Sequence, residues 1–392
     1  MIKLPFEKSE YDERLGRVRA EMRRRGIELL AVTDVANQHY LTAYDGWSFY
    51  TPQIVLVPIE DGEEPVWLGR AMDAAGGKLT AWMSAERVLG YPESYVQQRD
   101  RHAMDWIAGW VVERGWGKRR IGIESDSYYY SPKADARLRA GLPEASFLEA
   151  DLLVNWIRAV KSPAEIAYLR TAARIVEGAM RAALDAIAPG ERECDAIARI
   201  QAAQVAGLSD AAGDITGLPP TLLGGENAAA PHLMWSDRRF GREETIALEL
   251  AGACRHYTAG LARTLQLGPM PGKVADTAKA VLDGMDAVLA AARPGVTAES
   301  VEAAWRAVIE RYGLRKESRI GYSIGLGYPP DWGEHTISLR PGDKSMLEPG
   351  NVLHAILGMW MEGWGIEVSE TILITPGGCE TLTDFPRAVI AK

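Results

Sequence analysis

At 392 residues the chain is long enough for two domains of ordinary size, each burying its own core. Its 47% hydrophobic and 25% charged residues are those of a globular protein, and a formal charge of -9 with a pI near 5.4 excludes the basic footprint of a nucleic-acid binder. No apolar run reaches the roughly 18 to 20 residues that span a bilayer, and MIKLPFEKSEYDERL carries acids where a signal peptide needs an apolar stretch. The expectation is therefore a cytoplasmic protein with no membrane or nucleic-acid partner. Cys194, Cys254 and Cys379 form no CxxC pair and read as small buried residues in a reducing compartment.

Leu15, Val18 and Met22 recur at helical spacing between Ser9, a candidate cap, and Gly26, which predicts a helix. Strand-like runs follow at 29–33, 54–58, 66–69 and 121–124, so residues 1–157 read as a mixed α/β domain. In RAVKSPAEIAYLR, Ser162 as cap, Pro163 at the first helical position and Glu165 closing a capping box set a helix start. It marks the beginning of a second domain, 158–392. Sliding the chain on itself by 105 residues lays Val176, Met180, Leu184, Ala186, Pro189, Gly190, Ala198 and Ala202 on Val281, Met285, Leu289, Ala291, Pro294, Gly295, Ala303 and Ala307. Both copies read helix, Pro-Gly turn, helix. Either the second domain is a duplicated α/β unit with a pseudo-twofold axis and a site between its halves, or helix patterning alone produces the match.

These features together resemble the pita-bread family of creatinase, prolidase and aminopeptidase P. Residues 249–264, ELAGACRHYTAGLART, resemble its metal-binding hairpin: Tyr257, Arg263 and Thr264 match, but the two Asp positions hold Glu249 and Gly260. His232 in NAAAPH falls on the family histidine that shuttles protons. GYSIG at 321–325 lies where peptidases have Gly-His-Gly-Ile-Gly, which puts Tyr322 at the metal-binding histidine. MLEPGNVLHAILG and GWGIEVSETILIT correspond to the strands that supply the last two Glu ligands, positions held here by Ile356 and Ser369, with Glu367 and Glu370 flanking the second. A dinuclear site needs several hard oxygen donors and an imidazole. With all five positions changed, the resemblance implies an enzyme without metal or other cofactor, as creatinase is.

Four longer blocks resemble the ectoine hydrolase subfamily: YDGWSFY at 44–50, AAAPHLMWSD at 228–237, YPPDWGEHTISLRPGD at 328–343 and GMWMEGWGIEVSETILIT at 358–375. Ectoine is a cyclic amidine carrying a carboxylate, and its amidinium carbon is electrophilic without a metal. The resemblance implies that Glu249 attacks that carbon, that His232 is the acid and base, and that ectoine, with 5-hydroxyectoine, opens to N-acetyl-2,4-diaminobutyrate for a deacetylase downstream. On residue type alone, the rival readings are an inward Glu249 paired with Arg263 or Arg255 and a surface His232.

Substrate contacts are expected from Tyr322, from Asp331, Trp332 and Glu334, whose indole and acids suit an organic cation, and from His354, Glu367 and Glu370. In creatinase-like homodimers the small domain covers the neighbour's site, which implies that Trp47 and Phe49, with Tyr50, cap a partner's pocket. Arg340, His335 or backbone amides are candidates for the substrate carboxylate. The competing readings are a creatinase-type amidinohydrolase on another carboxylated guanidino or amidino compound, a metal-dependent Xaa-Pro peptidase, and a binding module that has lost catalysis.

Overall fold

The computed structural model describes residues 4–392, which divide into two compact units between Ile157 and Arg158. In the first, helix α1 (Lys8–Arg25) begins one residue before Ser9: Glu7 is the N-cap, without a side-chain hydrogen bond, and Ser9 lies inside the first turn. The buried stripe of Tyr11, Leu15, Val18 and Met22, rather than a cap, holds this helix. Gly26 ends it at φ 71, a left-handed conformation that glycine adopts without a Cβ clash.

Strands β1 (Leu29–Val32), β2 (Ile54–Pro58), β3 (Val66–Arg70), β4 (Val88–Tyr91), β5 (Arg120–Ile123) and β6 (Ser146–Glu149) form a mixed sheet in the order β4-β3-β2-β1-β5-β6. Helices α2 (Val35–Thr42), α3 (Ala74–Thr80), α4 (Ala103–Glu113) and α5 (Pro132–Gly141) alternate with the strands, and α6 (Leu153–Arg158) closes the unit. Leu29, Ile54, Leu56, Val66, Leu68, Ile121 and Ile123 pack with Met104, Ile107 and Leu138 into one core.

The second unit opens with α7 (Pro163–Ala186), where the Ser162 hydroxyl accepts from the Glu165 N–H and the Glu165 carboxylate accepts from the Ser162 N–H. Then come α8 (Glu193–Ala206), β7 (Thr221–Gly224), β8 (Glu244–Cys254), β9 (Tyr257–Leu267), α9 (Gly272–Ala291), α10 (Ala298–Ile309), β10 (Gly321–Tyr328), β11 (Asp331–Ser338), β12 (Val352–Met361), β13 (Trp364–Thr375), β14 (Gly378–Thr381) and β15 (Ile390–Ala391). The sheet runs β14-β13-β12-β10-β9-β8-β7, with β11 on β10 and β15 on β9. Among the described residues no helix is long and apolar enough to cross a membrane.

The internal repeat is realised in backbone hydrogen bonds, which helix patterning alone would not produce. Gly190, Glu193 and Cys194 donate to Phe240, Arg238 and Ser236, and Gly295, Ala298 and Glu299, each 105 residues later, donate to Leu347, Ser345 and Asp343, each 107 later. Gly190 and Gly295 share a left-handed turn, with φ of 87 and 80. Val176 and Met180 are buried in one core, Val281 and Met285 in another. The hairpins correspond as well: Glu249 lies opposite Ala262, and Ile356 lies opposite Ser369. The duplication thus sets the two altered ligand positions Glu249 and Ile356 at equivalent points of two hairpins.

Candidate active site

Every residue of β8 is buried except Glu249, whose side chain is 11% exposed. Ile356 is likewise the partly exposed residue inside the buried stretch of β12. One carboxylate and one isoleucine are thus the partly exposed residues of two otherwise buried stretches of strand. Arg263 is not the partner of Glu249: its guanidinium is committed to Glu370 at 2.7 Å, and Arg255 lies on the exposed turn of the hairpin.

The imidazole nearest Glu249 is that of His354, with Nδ1 3.9 Å from the Glu249 carboxylate and 3.4 Å from the Tyr322 hydroxyl. Its Nε2 lies 2.7 Å from the Ser369 hydroxyl, which itself accepts from the Ala262 N–H at 2.6 Å. The two ring nitrogens of His354 thus meet the Ser369 hydroxyl on one side and Tyr322 and Glu249 on the other. Burial holds the His354 pKa near 3, so the ring is neutral and its approach to Glu249 is not an ion pair. The Trp332 indole donates to the Tyr322 hydroxyl at 2.7 Å, and both rings stand edge-on to His354.

Glu249 itself is raised to about 7, by burial first and then by the charge of Asp331. Glu367, fully buried, is raised well above the carboxylate range by burial and by Glu249, with Lys316 opposing. Lys316 donates to the Gly358 carbonyl at 2.6 Å and is brought down to about 8 by burial, with Glu367 opposing. Burial works to raise Asp331 too, but His335 at 2.9 Å and the N–H groups of Gly333 and Trp332 outweigh it and keep it below its ordinary value. Tyr322 is raised by burial and by Glu249 and stays a neutral donor. Three acids thus surround a space in which neither lysine nor arginine pairs with Glu249 among the described residues.

Other expected contacts go elsewhere. Glu334 does not join this cluster: it forms a buried ion pair with Lys161 at 2.5 Å and accepts from Ser323. Glu367 and Glu370 are both buried on β13, and their three-residue separation sends them to opposite faces. Glu370 therefore serves Arg263 and Thr383. His232 stands exposed in the loop after the turn Gly225–Ala229 and makes no hydrogen bond with the cluster among the described residues. Trp47, Phe49 and Tyr50 belong to the first unit, where the Trp47 and Phe49 rings meet at 4.6 Å, tilted by 57°, and Phe49 meets Tyr129 edge-on at 5.4 Å. Trp47 and Tyr50 are 54% and 62% exposed, which core packing does not explain.

The five ligand positions do not fit a pair of divalent cations. Glu249 is the sole carboxylate among them, Tyr322 and Ser369 are engaged as described, and Ile356 offers no donor. At Gly260 an added Cβ would lie 2.8 Å from His354 Cε1 and 2.9 Å from Nε2, so the imidazole fills the volume that an Asp side chain needs. Glycine at 260 and the His354 ring in that place therefore depend on each other. Gly260→Ala is accordingly expected to displace the ring and destabilise the fold by about 1–3 kcal/mol. Thermal unfolding measures this, and an unaltered Tm would refute the packing argument.

The chain belongs to metallopeptidase family M24, whose model matches residues 167–376, and residues 14–160 match the creatinase/prolidase N-terminal domain. It is 44% identical to an ectoine hydrolase of Halomonas elongata across 100% of this chain and 99% of that one. It is 40% identical to an uncharacterised hydrolase/peptidase of Sinorhizobium fredii, with 99% of each covered. A prolidase from Thermococcus sibiricus superposes with a TM-score of 0.84 over 97% of this chain and 99% of that one; at 19% identity it shares the fold alone.

Proposed function

We propose that this chain hydrolyses the cyclic amidine ectoine, and 5-hydroxyectoine with it, to N-acetyl-2,4-diaminobutyrate without a metal. The observation that carries this reading is Glu249, a carboxylate in a sealed strand, flanked by Asp331 and Glu367 and without a cation of its own. An amidinium supplies that missing charge and presents an electrophilic carbon. The full-length likeness to an ectoine hydrolase supports the same substrate.

In this reading a Glu249 oxygen bonds to the amidinium carbon while the C=N π pair moves onto nitrogen, neutralising the substrate. Proton delivery to one ring nitrogen lets its C–N bond break, and the carbon remains esterified to Glu249 as an imidate. Water then adds to that carbon, the bond to Glu249 breaks with its pair returning to the carboxylate, and an acetamide is left after proton loss. His232 is the proton carrier here, because His354, held near 3, stays neutral and orients Tyr322. The protein is further read as a cytoplasmic homodimer in which the exposed Trp47 and Tyr50, with the half-buried Phe49, cap the partner's site, its product passing to a deacetylase.

Proton NMR of ectoine incubated with the protein tests the reading. The ring amidine methyl signal is expected to give way to an N-acetyl methyl signal at a rate that a chelator does not alter. Folded protein that leaves ectoine intact would sink the proposal.

A further inference from the structure

A substrate that carries both an amidinium and a carboxylate needs a cation on the far side of the site from Glu249. Lys316 is spent on the Gly358 carbonyl and Glu367, and His335 on Asp331. Arg319 is different. It sits in the polar stretch just before β10, exposed, with its guanidinium carbon 4.3 Å from the Tyr322 ring centroid. Nη1 donates to the Ser338 hydroxyl at 3.1 Å, and among the described residues no carboxylate lies within ion-pair distance of the group.

The neighbours of Tyr322 set the spacing. Arg319 covers the face of its ring, whereas its hydroxyl meets Trp332 at 2.7 Å and the His354 Nδ1 that lies 3.9 Å from Glu249. One tyrosine ring thus separates an unpaired guanidinium from the reactive carboxylate. Resting on the proposed ectoine reading, we infer that Arg319 is the specificity-determining residue that receives the substrate carboxylate, with Nε and Nη2 as donors, while the acids hold the amidinium. The guanidinium presents its donors in a plane that matches a carboxylate, and the ring beneath keeps that plane fixed.

Steady-state kinetics on two substrates test this: ectoine, and the same cyclic acetamidine without its carboxylate. Arg319→Gln is expected to lower kcat/KM for ectoine about 100-fold, chiefly through KM, and to leave the carboxylate-free compound unaffected. Arg319→Lys should restore part of the loss, because charge returns without the planar fork. Equal losses on both compounds would mean that Arg319 merely supports Tyr322, and no loss on ectoine would mean that it touches nothing; either overturns the inference. Calorimetric binding of ectoine to Glu249→Gln, with and without Arg319→Gln, separates this from the reaction itself. Weaker binding of ectoine but not of the carboxylate-free compound in the double variant upholds the inference even where turnover fails, and unchanged binding of ectoine overturns it even where turnover succeeds.

Discussion

Glu249→Gln is expected to reduce ectoine turnover by about 10⁴- to 10⁶-fold, the range that loss of a nucleophile causes in other hydrolases. The amide keeps the shape of the side chain but cannot displace the π pair of an amidinium. A covalent adduct on Glu249, visible by mass spectrometry as substrate mass added to the chain, should vanish in the variant. Because Glu249 titrates near 7 and must be ionised to attack, kcat/KM in the unaltered enzyme should rise with pH, reach half its limit near 7 and level off above it. The folded pKa of about 7 lies above the ordinary 4.5, so the fold favours the protonated form. That stabilisation is complete below 4.5 and is lost as pH rises through 7. Glutamine never ionises, so at about pH 8 the variant should unfold at the same Tm or a higher one. A variant that loses activity and several degrees of Tm together would point to a structural carboxylate, and a wild-type rate that falls through pH 7 would contradict the nucleophile.

Much of the scaffold was legible from local chemistry. The capping box at Ser162 and Glu165 specifies a helix start within a few residues, so it needed no tertiary information. The Pro-Gly turns of the repeat were legible for the same reason, and their matching hydrogen bonds show that the similarity reflects geometry. Ser9 misled because its expected role rested on residue type, whereas the buried stripe of α1 decides where the helix begins. Helices α2, α3 and α4 lie between the strand-like runs, and α5 after the last of them, without a marked break in polarity.

The site was legible where it rests on one strand and illegible where it rests on contacts between strands. Glu249 stands out as the one acid of an apolar run. Glycine at 260 looks like erosion until His354, 94 positions away, is seen to fill the space of the absent side chain. The parity of β13 carries a signal in the sequence itself: residues three apart on a strand face opposite ways, so Glu367 and Glu370 are not equivalent candidates. Arg319 lay in RKESR, a run that reads as a solvated loop, and only the fold shows it lying across Tyr322.

Glu334 marks the limit of reading acids as ligands, and it also carries the largest structural effect expected here. Lys161 and Glu334 are 173 residues apart, and each side chain is 1% exposed where they meet. Burial drives the Lys161 pKa down and the Glu334 charge opposes it, so the lysine's charge depends on this pairing. The pair joins the segment before α7 to β11, next to the strand that holds Tyr322, and Ser323 on β10 donates to the same carboxylate. Lys161→Met would leave a carboxylate buried with Arg158 at 3.6 Å as its remaining cation, at a cost of about 3–5 kcal/mol. Lys161→Met combined with Glu334→Gln removes both of these charges but takes the carboxylate away from the buried Arg158 guanidinium as well, so it should recover only part of that loss. Denaturant unfolding of the two variants measures the difference. A double variant no more stable than Lys161→Met would show that the pair contributes through its attraction, and activity that recovers in step with stability would show that the β10–β11 hairpin, with Tyr322, Asp331 and Trp332 on it, is held in place by this contact.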